Sequence, residues 1–128
     1  DGSCVLRVQA GEGSALLTGA ISAAVEGLLP AASVAADVVT IPHHGSRTSS
    51  SEAFVAAVGA RWAVAAVGHA DRWGFPKPDV VARWESAGAT VVGTADGGAL
   101  RCVLGGRGPR AAPGHRAVAA RWWTSRAP

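Results

Sequence analysis

Apolar and polar positions along the chain switch between a period of two and a period near three and a half, and the switches mark out the elements. Cys4–Gln9 and Ala15–Thr18 read as strands, and Gly11 and Gly13 between them predict a hairpin turn. Ile21, Val25, Leu28 and Leu29 recur at the spacing of one helix face, so a helix is predicted over 21–29, stopped by Pro30. Val38-Val39-Thr40-Ile41 is a short β-branched run of the kind a buried strand carries. Ser49-Ser50-Ser51-Glu52 has the form of a capping box and predicts a helix from about Ser50 to Val58, ended near Gly59. Trp62–Val67 reads as the next strand. After Pro76 and Pro78, a helix is predicted over 79–87, with Asp79 at its positive end and Gly88 as its terminator. Thr90–Val92 and Ala99–Leu104 predict two last strands, joined by a turn at Asp96-Gly97-Gly98. The run from Gly105 to Gly114 reads as a linker, and Val118–Trp123 as a further short element. Trp62, Trp73 and Trp84 read as packing residues.

Strands alternating with helices predict a layered α/β domain. In such sheets functional groups collect beyond the C-terminal ends of the strands, which points to two loops, 42–48 and 68–76. The length of 128 residues suits one domain or part of one, and 48% apolar against 16% charged residues excludes a disordered body. The chain opens at Asp1 and contains no Met, which implies a segment upstream. No signal-peptide pattern is present, and the apolar runs fall short of the roughly 20 residues a bilayer span needs, so the segment is expected to be soluble. Residues 1–104 hold seven basic and nine acidic groups, a net of −2, whereas 105–128 hold five arginines and no acid. Two regions are therefore expected, a domain over 1–104 and a basic Gly/Pro/Arg-rich tail over 105–128. The tail would contact phosphates or anionic lipid, or be a solvated terminus. In it, Trp122-Trp123 would dock onto the domain or stack on bases. Cys4 and Cys102 are too few for a disulfide framework and read as small apolar side chains within strands, with a bridge between them left open.

The chemistry concentrates where His43 and His44 leave the buried strand and meet Gly45, Ser46, Thr48, Ser49, Ser50 and Ser51 before a helix begins. Imidazole is a common metal ligand, and a strand end holds it rigidly. The hydroxyls of Ser49, Ser50 and Ser51, with the amides of the helix start, offer a phosphate seat. Together these are what metal-assisted phosphoester hydrolysis requires. The alternative is a histidine pair hydrogen-bonded within its loop, followed by an ordinary helix cap. In the second loop, His69 and Asp71 are candidate additional ligands, or Asp71 simply closes a turn. Glu12 and Asp37 read as surface acids.

The run Ala36-Asp37-Val38-Val39-Thr40-Ile41-Pro42-His43-His44-Gly45-Ser46-Arg47-Thr48-Ser49-Ser50-Ser51 resembles the corresponding stretch of the metallo-β-lactamase-fold domain of ComEC/Rec2 competence proteins, DNA-uptake channels of naturally transformable bacteria. Asp1–Leu6, Leu16-Leu17-Thr18-Gly19 and Arg72-Trp73-Gly74-Phe75-Pro76, with Pro78 to Trp84, resemble further segments in the same order, so the likeness covers about residues 1–104. It implies the C-terminal part of an αββα sandwich that carries two divalent metal ions, zinc or manganese, and degrades the DNA strand that is not transported. It implies ligand roles for His43 and His44, with His43 closer to the strand end, and catalytic roles for Ser46 and Thr48 in shaping the metal loop or contacting phosphate. The partners implied are DNA, the N-terminal half of the domain and the membrane channel of a parent protein. The parent would sit in the bacterial inner membrane, with this domain on the extracytoplasmic side.

Three departures count against catalysis by these residues alone. The family's main ligand cluster lies upstream of Asp1, Ala20 stands where its bridging aspartate follows Leu-Leu-Thr-Gly, and Phe75 stands at its loop histidine. The sequence therefore supports a metal-dependent nuclease, a metal-free DNA-binding or scaffold domain of the same channel, or a small-molecule hydrolase of the same superfamily.

Overall fold

In the computed structural model, which describes residues 2–105, 110–111 and 114–119, the first five predicted strand runs assemble into one sheet of order β1-β2-β3-β4-β5. β1 (Leu6–Ala10) and β2 (Gly13–Leu17) form the predicted antiparallel hairpin, with Gly11 at φ 58 in its turn. β2, β3 (Val38–Thr40), β4 (Trp62–Ala65) and β5 (Thr90–Gly93) then run parallel. Because β3 and β4 are parallel neighbours, the loops after them, at 42–48 and 66–76, leave the same edge of the sheet.

Alternation along the strands decides which face is core. Leu16, Val39, Ala63 and Ala65 share one face and belong to a single buried cluster with Phe54, Val55 and Val58 of α3 (Glu52–Val58) and Val80 and Trp84 of α4 (Pro78–Ser86). Phe54 and Trp84 meet edge to face at 6.4 Å. The two short helices α1 (Ala23–Glu26) and α2 (Ala31–Val34) lie against the same cluster through Val25 and Val34. On the opposite face, paired Leu6 and Leu17 are 55% and 43% exposed, Val8 is exposed, and Trp62 and Val64 are half-buried. The protein is thus a mixed α/β structure whose sheet buries the central strands on one face and leaves part of the other open.

Several expectations need correction. The helix predicted over 21–29 is the single turn Ala23–Glu26 capped by Gly27, since Leu28 lies mostly outside and Glu26 turns inward. The cap of α3 is Ser51, whose hydroxyl accepts from Phe54 N at 3.3 Å, rather than Ser49. No turn at 96–98 joins two strands: Thr94–Gly97 forms a helical turn, α5. The last predicted strand shrinks to β6 (Cys102–Val103), which leaves the main sheet and pairs with β7 (Arg110–Ala111) in the stretch expected to be a linker. α6 (His115–Val118) follows, with Gly114 pressed against Gly97 and the His115 amide donating to Ala99 O at 2.9 Å. Trp122 and Trp123 lie outside the described residues. Cys4 is exposed and outside any strand, Cys102 is half-buried, and both thiols are free, so no bridge joins them. Burial pushes the Cys102 thiol up. Asp37 is half-buried instead of a surface acid, its carboxylate accepting from Ser14 N at 2.9 Å and Ser14 Oγ at 2.8 Å.

Asp79, at the start of α4, accepts from Arg47 Nε at 3.0 Å through both carboxylate oxygens. That hydrogen bond holds its carboxyl below the usual carboxylate value. A depressed carboxylate contributes stability that is complete above its unfolded pKa, about 3.9, and is lost as pH falls through the folded value. The stability gap between wild type and Asp79→Asn is therefore expected at pH 7 and should close on acidification below that point, as read from urea midpoints at each pH. Both groups are exposed, so the gap is small.

Candidate functional site

Pro42–Gly45 form a tight turn directly after β3, and both histidines in it take left-handed backbone, His43 at φ 50 and His44 at φ 58. Such conformations cost of order 1 kcal/mol each for non-glycine residues and persist only where the surroundings enforce them. Ser50 and Ala70 are the other non-glycine residues with positive φ, so among the described residues all four lie in the segments joining β3 to α3 and β4 to α4. The enforcing contacts are visible. His43 N donates to Gly19 O at 3.0 Å, Ser46 N to His43 O at 3.0 Å, and Lys77 N to Gly45 O at 2.9 Å. The first ties the histidine turn to the end of the β1–β2 hairpin, and the last ties it to the second loop.

Both imidazoles are exposed and line one cleft of about 310 Å³, together with Ala66, Val67, Gly68, Asp71, Trp73 and Phe75. His44 Nδ1 lies 2.8 Å from Ala66 O; a carbonyl only accepts, so Nδ1 carries a proton, and in the neutral ring the lone pair is that of Nε2. His43 Nδ1 lies 3.3 Å from Thr48 Oγ1, which lies 3.0 Å from Ser46 Oγ, so a short hydroxyl chain holds the ring. Ring nitrogens pinned in this way at one position and open at the other have the orientation of metal-ligating histidines. A larger groove of about 460 Å³, between α3 and α4, is lined by residues such as Glu52, Asp79 and Arg83 and lies away from both histidines.

The structure does not bring the remaining candidates together as ligands. Asp71 lines the cleft, but its Oδ2 accepts from Trp73 N at 3.0 Å and Phe75 N at 2.9 Å, the geometry of a turn closed by an aspartate. His69 turns toward α5 and α6, its Nδ1 3.0 Å from Ala95 O and 3.2 Å from Arg116 Nη1. Ala20 follows Gly19, the backbone partner of His43, and brings no donor atom beyond its peptide group. Among the described residues no group of three His, Cys, Asp or Glu side chains assembles that would hold a metal ion. Zinc normally takes three or more protein ligands, and the described residues place only two imidazoles on this cleft.

Ser49, Ser50 and Ser51 are already engaged. Ser49 Oγ donates to Pro42 O at 2.8 Å, and buried Ser50 Oγ accepts from Trp84 Nε1 at 3.2 Å. The amides of Ser50 and Ser51 donate to Glu26 Oε1 at 2.6 Å and Oε2 at 2.8 Å. Glu26 is only 4% exposed, and its carboxylate occupies the place an incoming phosphate would take at these amides. Sequence reasoning missed this residue. The signal was present: Glu26 is the sole charged residue between Gly13 and Ala36. The hydroxyls of Ser46 and Thr48, beside His43, remain on the exposed side of the turn.

No protein-family model matches the chain, and no solved structure matches it. Relatives are nevertheless clear. Competence protein ComA of Neisseria gonorrhoeae is 38% identical over 112 residues, 85% of this chain and 16% of that protein. The uncharacterized protein YcaI of Escherichia coli K12 is 31% identical over 124 residues, 94% of this chain and 16% of the other. Recombination protein 2 of Haemophilus influenzae is 35% identical over 99 residues, 77% of this chain and 13% of the other. The chain thus spans less than one fifth of the length of the curated relatives it matches. With such likeness across most of its own length, the chain belongs to the ComEC/Rec2 family of competence proteins.

Proposed function

We propose that this chain acts in DNA uptake, and that His43 and His44 are its contribution to a site that processes DNA phosphodiesters. The supporting observation is the pair of exposed imidazoles on one cleft, His43 held through Nδ1 by Thr48 of its own loop and His44 by Ala66 O of the second loop. The names of ComA and Recombination protein 2 support competence as the setting. The half-open sheet face bearing Leu6, Val8 and Leu17 supports an αββα sandwich, in which a second sheet would cover it and bring further ligands. Divalent ions, zinc or manganese, would then be held jointly by this chain and residues outside it. Ser46 and Thr48 hold the His43 ring and present hydroxyls to the phosphate. The whole protein would stand in the bacterial inner membrane with this domain on its extracytoplasmic side; among the described residues no helix is long and apolar enough to cross a membrane.

The experiment compares the 128 residues with a protein that carries them in full family context. The isolated chain is expected to show no chelator-sensitive cleavage of DNA. The longer protein is expected to cleave, and His43→Ala to lower that cleavage by at least about 100-fold, the upper end for losing even a ligand's hydrogen-bond partner. Cleavage unaffected by His43→Ala would contradict the proposal. A second reading, a metal-free DNA-guiding domain, draws on Ala20 beside the histidine turn and on the incomplete ligand set. Salt-sensitive DNA binding with no metal uptake or cleavage by the longer protein would establish it instead.

A further inference from the structure

We infer that Trp73 is a stacking platform for a nucleobase at the histidine cleft. The inference rests on the DNA-handling role proposed above and deepens it. Tryptophan is normally buried where the fold allows, and Trp84 is fully buried and Trp62 half-buried. Trp73, expected from sequence to be a packing residue, is instead 61% exposed.

Its exposure comes from a built turn. The Trp73 amide donates to Asp71 Oδ2, Gly74 N donates to Asp71 O at 3.2 Å, and Lys77 Nζ donates to Trp73 O at 2.6 Å. The indole lines the same cleft as His43 and His44. The Arg72 guanidinium sits 4.5 Å from its ring centroid, and Lys77 Nζ lies 5.1 Å from the ring of neighbouring Phe75. An exposed ring beside the Arg72 guanidinium, on the same cleft as groups suited to a phosphodiester, has the elements that bind single-stranded nucleic acid: the ring takes a base face and a nearby cation takes the adjoining phosphate. A duplex keeps its base faces stacked on one another and offers none to Trp73. The cleft volume of about 310 Å³ suits a nucleotide unit rather than a helix of two strands.

The test uses the whole chain and anisotropy of a short labelled oligothymidylate, against an abasic oligomer of equal length and charge. Trp73→Ala should weaken oligothymidylate binding about 10-fold and leave the abasic oligomer unchanged, while Trp73→Phe should retain most of the affinity. Because the ring is exposed, the far-UV spectrum should not change. Equal binding of oligothymidylate by wild type and Trp73→Ala, or an equal loss on both oligomers, would overturn the stacking role while leaving DNA handling intact. Wild-type protein that binds neither oligomer would overturn the DNA-handling reading as well.

Discussion

Replacing Gly45 by alanine is expected to destabilise the chain by about 3 kcal/mol and to separate the two loops that build the cleft. Gly45 has φ +84, which alone costs a side-chain-bearing residue about 1 kcal/mol. The larger part is steric. A Cβ here would stand 2.5 Å from Pro76 Cβ and 2.9 Å from Pro76 Cα, and neither atom belongs to a flexible side chain that can swing away. Nor can the second loop simply withdraw, since Lys77 N donates to Gly45 O at 2.9 Å and that bond would be lost. Urea unfolding gives the stability change. Oligothymidylate affinity should fall with it, because the His43–His44 turn and the Trp73 turn no longer share one geometry. A loss below about 1 kcal/mol would mean that the loops are not in contact as described.

Glu26→Ala is expected to cost about 3 kcal/mol, because it leaves the Ser50 and Ser51 amides without acceptors in a buried place. An unsatisfied buried donor costs about 1–3 kcal/mol, and two are created together. Glu26→Gln is the discriminating variant. Its single carbonyl oxygen can serve one amide, while its NH2 group must face the other donor, so about half the loss should remain. Backbone hydrogen exchange at Ser50 and Ser51 reports on the contact separately from global stability. Both amides should be protected in wild type and should exchange faster in Glu26→Ala. Gln and Ala variants equal to wild type in both readouts would remove Glu26 from its place under the loop. Since Ala23 N also donates to Thr48 O at 2.8 Å, both ends of the short α1 hold the C-terminal part of the histidine loop.

Periodicity made much of this fold legible. β3, β4, α3 and α4 emerge close to their predicted limits because each carries a strong local pattern and a clear stop, such as the left-handed Gly59 after α3. The stretch 21–29 misled because its apolar spacing survives in a segment too short to continue: the chain needs Glu26 inside more than it needs another helical turn. The region after β5 misled for another reason. Thr94 Oγ1 donates to Val67 O at 2.7 Å and accepts from Val67 N at 2.8 Å, bonds that anchor α5 across from β4 and draw the chain off the sheet edge. No pattern of apolar residues encodes that. In the site, Pro42–Ser51 announced itself by composition, yet the partner of its amides lies 24 positions earlier and is invisible to local reading. Trp73 was misread because burial is the default for its residue type, and the short turn around Asp71 keeps it outside.

The most direct test of the central claim is the tautomeric state of His43 and His44 in long-range proton–nitrogen spectra of the imidazoles at neutral pH, with zinc added stepwise. His44 is expected to be the Nδ1-protonated tautomer, as its bond to Ala66 O requires, and zinc is expected to shift Nε2 of both rings before those of His69 and His115. An Nε2-protonated His44, or zinc shifts spread equally over all four histidines, would contradict the account.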